Sequence, residues 1–132
     1  MKNAAADGQH LLSGTLDWPS SWKADRADIP TGTGVLNAVT PFLEQLVNSG
    51  LAPATLHRHF SNICLLGSEI VRQATYDSAL RSLSGRDLVL HFLHEEGGPL
   101  SQHNATETEQ RSFDASCRKL YHFLVTQANA NK

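Results

Sequence analysis

One stretch, GLAPATLHRHFSNICLLGSEIVRQA from Gly50 to Ala74, constrains the fold more than any other part of the chain. Read at about 100° per residue, Leu56, Phe60, Ile63, Gly67, Ile70, Val71 and Ala74 gather on one helical face, with Arg58, Asn62, Glu69 and Arg72 opposite. Pro53 suits the first turn, where its missing N–H costs nothing, and Gly50 suits the end of the preceding helix. Gly67 interrupts the apolar stripe without a side chain, so another helix is expected to approach the central one closely there.

The flanking segments are read around this helix. Residues 1–16 are small and polar, and are expected to form a flexible arm. Residues 17–34 hold both tryptophans and are expected to form an irregular strap over the helical core. The alternative is that Trp18 and Trp22 are an exposed anchor for a partner. Residues 35–128 form the helical domain in this reading. Its first helix contains Leu36, Val39, Leu43, Leu46 and Val47 at helical spacing; it either starts at Pro41 with Thr40 as cap or begins near Val35 and bends. The spacing crosses the proline, which favours the bent segment. A short turn over ATYDSALRSLSG precedes a helix capped by Ser84 and stopped by Gly97-Gly98-Pro99. Thr106 and Glu109 make a capping box for the last helix, which sets Phe113, Cys117, Leu120, Tyr121 and Leu124 on one side. With no paired strand candidates, the expected fold is all-α, four main helices in an orthogonal bundle.

Composition bounds the chemistry. A chain of 132 residues with 40% hydrophobic content can bury a sizeable core, and a formal charge of −2 argues against a protein that coats nucleic acid. No run approaches a membrane span and the N-terminus does not read as a signal peptide, so a cytoplasmic protein without membrane contact is expected. Cys64 and Cys117 sit among apolar residues and read as buried free thiols. His57 and His59, two apart, point about 200° apart on a helix and cannot share an ion. His91 and His94 could, with His103, Glu95 or a cysteine as third ligand, but no recognised metal spacing is present. Gly32-Thr33-Gly34 follows no strand and is not a phosphate loop. No metal, cofactor or catalytic set is expected.

In order, FLEQLVNSGLAPATLHRHFSNI, DLVLHFL and SFDASCRKLYHFL resemble the N-terminal, SAM-like core-binding domain of tyrosine recombinases and phage integrases. In that family a helix ending in glycine leads through Ser-Pro-x-Thr into a long helix, then a shorter helix and a final aromatic-rich one. Ala52 stands where the capping serine would be, a loss of about 1 kcal/mol. The chain stops where the family's catalytic domain would begin, so the resemblance implies a stand-alone, non-catalytic DNA-binding or recombination-accessory module. It also implies which residues would face the major groove of duplex DNA: Thr55, His57, Arg58 and Asn62 on the central helix, with Arg111, Arg118, Lys119 and His122 on the last. Residues 50–75 hold two arginines against one glutamate, and residues 106–132 four cations against three carboxylates. The rest holds five against nine, so basicity is weakly concentrated on those two helices and any DNA binding is expected to be weak.

A second class of function rests on apolar residues. Leu65 falls on the polar side of the central helix and Leu66 on its flank. Together with Trp18 and Trp22 they are candidates for a protein-partner or self-association surface.

Overall fold

Apolar spacing decides most of the architecture. The computed structural model describes residues 4–100 and 106–130. In chain order the helices are α1 (Ala4–Gly14), α2 (Trp18–Trp22), α3 (Ile29–Val47), α4 (Pro53–Thr75), α5 (Ser78–Arg81), α6 (Gly85–His91) and α7 (Glu107–Ala130). The chain is an all-α helical bundle, and among the described residues the one β feature is an isolated bridge between His94 and Gly97. No described helix is long and apolar enough to cross a membrane.

The central stretch forms α4, and every residue of its apolar stripe is buried. Ala52 provides no side-chain cap, and Gly50 closes α3 with φ +79°, a conformation glycine adopts without strain. Helices α1, α2, α3, α5 and α7 all touch α4, which makes it the hub of one continuous core. Helix α3 runs unbroken through Pro41. Both Pro41 and Asn37, whose carbonyl loses its donor there, face solvent, where water can take the place of the missing N–H. Helices α3 and α6 cross at Gly34 and Gly85, where a Cβ on Gly85 would strike the Gly34 carbonyl.

Several expectations need correction. Residues 4–14 are helical: Ala4–Ala6 have the highest helix propensity, and half-buried Leu11 and Leu12 dock the helix on the core. The segment 17–34 is not irregular throughout. Pro19 sits in the first turn of α2, and α3 begins at Ile29 with Pro30 in its own first turn. The low helix propensity of Gly32 and Gly34 is overridden by packing, Gly32 against Pro19 and Trp22, and Gly34 against Gly85. Helix α6 ends early, at His91, because His94 and Gly97 exchange two backbone hydrogen bonds of 3.0 and 3.1 Å that fold the chain back. Leu66 is a core residue, not a surface one.

The strap docks by two polar contacts around one large apolar one. The Trp22 indole lies on Gly67, where any Cβ would fall inside its ring, and its Nε1–H donates to the Cys64 carbonyl at 3.0 Å. Six residues on, the buried Asp28 carboxylate accepts from the Ala24 and Asp25 amides at 2.8 and 3.1 Å and from the Thr75 hydroxyl at 2.9 Å. Burial pushes this carboxyl up, but those hydrogen bonds and the charge of Arg81 outweigh it and hold Asp28 below 3.8. The strap is therefore tied to both the middle and the end of α4.

Gly67→Leu should displace the indole from its seat and lower stability by about 1–3 kcal/mol in a urea titration. The accompanying signature is a red shift of tryptophan emission as Trp22 becomes solvated. A variant with unchanged midpoint and emission would mean that the glycine seat does not hold the strap.

Candidate functional site

Helices α4 and α7 pack side by side, and the polar residues between them are consumed by that packing. The Asn62 amide nitrogen donates to the Ser112 carbonyl at 3.1 Å, to the Ser112 hydroxyl at 3.2 Å and to the Ser116 hydroxyl at 2.9 Å. Ser116 in turn lies 2.7 Å from His59 Nδ1. Ser116 is fully buried and His59 is 4% exposed. With Asn62 donating to Ser116, the serine proton is free to point at Nδ1, so the chain Asn62–Ser116–His59 is complete when the imidazole is neutral. Burial lowers the His59 pKa below 6.5, and the charges of Lys119 and Arg58 lower it further.

The residues expected to face DNA therefore divide. Asn62 is half-buried and faces α7, which corrects its assignment to the outer face of α4. Thr55 is half-buried in the first turn of α4. His57 and Arg58 are exposed on α4, as are Arg111, Arg118, Lys119 and His122 on α7. Arg111 stands 3.7 Å from Glu107 one turn away, and Arg118 donates to the Glu96 carbonyl at 3.3 Å. Both contacts are exposed and weak. Glu69, expected among the solvent-facing residues, is buried and held by Arg72 at 2.7 and 2.8 Å.

The tryptophan candidates also divide. Trp22 is buried, whereas Trp18 is half-buried, with its ring 5.7 Å from Trp22 and edge-on to Phe60 at 6.3 Å. Half-buried Leu65 borders the shallow hollow of about 480 Å³ that these rings leave beside Cys64. Cys64 and Cys117 are free thiols. Burial pushes Cys117 up to about 12, with the nearby Asp114 charge adding to it, so its sulfur stays protonated and unreactive. Among the described residues no three histidine, cysteine or acidic side chains converge on a metal position; His103 lies outside the described residues.

A larger hollow than that beside Cys64 combines Leu46, Lys119 and His122 with Phe42, Leu51 and Phe123, which periodicity did not single out. Between the C-terminal half of α3 and the C-terminal half of α7 lies an open groove of about 720 Å³. Phe42, Leu46, Leu51 and Phe123 form its apolar floor, and Lys119 and His122 stand on its rim. The Phe42 and Phe123 rings pack at 5.6 Å and hold the two walls together. The signal was present in the sequence, since Phe123 lies one position from the α7 core stripe and shares helical spacing with Lys119 and Thr126. Comparison with protein-family models, with curated proteins and with solved structures gives no match for this chain.

Two outcomes follow for the α4–α7 contact. Asn62→Ala should cost about 1–3 kcal/mol in urea denaturation because it strands buried partners, whereas Arg111→Ala should stay within about 0.5 kcal/mol. The second concerns pH. A folded-state pKa below 6.5 means that the unfolded chain takes up a proton at His59 more readily than the folded one. Stability from this residue is full above pH 6.5 and is lost as pH falls through the folded value, with a slope of at most about 1.4 kcal/mol per pH unit. Midpoints measured between pH 8 and 5 should decline in the native protein and flatten in His59→Asn. A native profile with no such decline would rule out the neutral buried imidazole.

Proposed function

We propose that this chain is a non-catalytic protein-interaction module whose working surface is the α3–α7 groove. The observation that carries the reading is that groove itself: Phe42, Leu46, Leu51 and Phe123 border an open concavity of about 720 Å³, larger than the hollow beside the strap. A concave apolar floor with a few polar groups on its rim is the common form of a binding site. The buried Ser116–His59 pair does not favour hydrolysis, because a fully buried serine has no access to a substrate carbonyl.

A second reading, a stand-alone module akin to a recombinase core-binding domain, is favoured by a specific observation. Arg58 on α4 and Lys119 on α7 both act on the charge of His59, so cations from the two helices named by the resemblance share one neighbourhood. Against it, Asn62 is engaged internally, and Glu107 and Glu96 lie beside Arg111 and Arg118.

The two readings separate by experiment. A photoreactive residue placed at Gln45 or Thr126, on the groove walls, should give a discrete protein adduct in the native cells; the same residue at exposed Arg26, on the strap, should not. Equal labelling from all three positions, or none from the groove, would overturn the interaction reading. Duplex DNA added at low salt should leave the amide spectrum unchanged. Saturable shifts at Arg58, Arg111 and Arg118, with a log–log salt slope of roughly −3 for three neutralised phosphates, would install the DNA reading in its place.

A further inference from the structure

We infer that the α3–α7 groove takes an acidic amphipathic helix from a partner protein, an assignment that rests on the interaction reading above. The walls of the groove have a helix-shaped pattern. On the α3 side the groove is bordered by Phe42, Gln45 and Leu46 of the helix and by Ser49 in the turn after it, at i, i+3, i+4 and i+7. On α7 it is bordered by Lys119, His122, Phe123 and Thr126, with the same spacing. The α7 wall is thus a helical stripe about two turns long, roughly 11 Å at 1.5 Å per residue, and the α3 wall is about one helical turn continued by the turn at Ser49. Two such walls side by side form the ridges and hollow that a third helix fills, with its own anchors at i, i+4 and i+7.

Charge on the rim favours an acidic occupant. No aspartate or glutamate borders the groove among the described residues, and its charged rim is Lys119, with the His122 ring N–H as a further donor. This local excess occurs in a chain of net charge −2, and so does not simply reflect composition. Helix α4 adds to it, because its N-terminus begins two residues after the wall residue Leu51 and has no side-chain cap. Apolar anchors on one face with glutamates or aspartates along the flank complement both the floor and the rim.

The other occupants fit less well. A duplex offers phosphates to Lys119 but no apolar side chain to lie on the floor formed by Phe42, Leu46, Leu51 and Phe123. A second copy of this chain would have to present an open apolar stripe of its own. Its exposed large apolar residues among those described, Leu16, Tyr76, Leu83 and Leu100, are dispersed over separate segments and form no such stripe.

The test uses the intact chain and two synthetic helical peptides with identical leucine anchors, one flanked by glutamates and one by lysines. The acidic peptide should shift the amides of Leu46, Leu51, Phe123 and Thr126, and the basic peptide should not. Lys119→Glu should weaken the acidic peptide roughly tenfold, with weaker binding at higher salt. Gln45→Trp, which fills the mouth from an exposed position, should abolish binding while leaving the circular dichroism unchanged. Equal binding of both peptides would overturn the acidic preference but leave the interaction reading standing. Binding of neither would overturn the helix-in-groove assignment, and the groove crosslink would then decide the interaction reading separately. A concentration-dependent dimer in sedimentation whose amide shifts map to the groove would overturn the assignment in favour of a second copy. Shifts at the groove residues with duplex DNA in place of the acidic peptide would overturn it in favour of nucleic acid.

Discussion

Enclosure of α4 is the constraint on which the rest of the structure depends. A helix touched by five others keeps little of its surface open to water, so each polar residue that it buries needs a partner inside the protein. Asn62 and His59 find theirs on α7, Glu69 finds Arg72 one turn on, and Thr75 gives its hydroxyl to Asp28 and to the Val71 carbonyl. The outcome is full satisfaction: among the described residues no buried side-chain nitrogen or oxygen lacks a hydrogen-bond partner. These pairings also fix the rotation of α4 against its neighbours, since turning the helix would break several of them together.

The strap follows from the same enclosure. A 23-residue helix with an apolar stripe along its whole length needs cover along its whole length, and α3 and α7 do not supply all of it. Trp22 closes the position where α4 is thinnest, at Gly67, and Asp28 secures the chain just beyond it. The N-terminal third is therefore part of the core and not an appendage. Its short helices owe more to the apolar surface beneath them than to the helix propensity of their own sequence.

That dependence explains what could be read from the sequence and what could not. The α4 stripe, the stop at Gly50, the caps at Ser84 and Thr106 and the close approach at Gly67 are local signals, and the structure bears them out. The all-α class followed from them. Helix α1 and the early start of α3 were hidden because Gly8, Gly32 and Gly34 lower local propensity, and only tertiary contacts restore it. Asn62 and Glu69 were placed on the solvent side because periodicity ranks residues by polarity, whereas enclosure acts on position alone. Of the groove, single walls were legible but their pairing was not, for a related reason: they come from helices far apart in sequence, and each by itself reads as the edge of an ordinary amphipathic helix.

The distance between Asn62 and its partners has a consequence for biosynthesis. Ser112 and Ser116 lie 50 and 54 residues downstream, so at ordinary elongation rates α4 leaves the ribosome roughly 3–10 s before α7 can cover it. For that interval the nascent chain carries an apolar stripe with an unpaired amide and imidazole along its edge. The N-terminal segments, already synthesised, can occupy the Gly67 side early, which leaves the α7 side as the late and vulnerable seam. A ribosome stalled before Ser112 would therefore hold out an incomplete bundle, presenting to chaperones the face that the finished protein never shows.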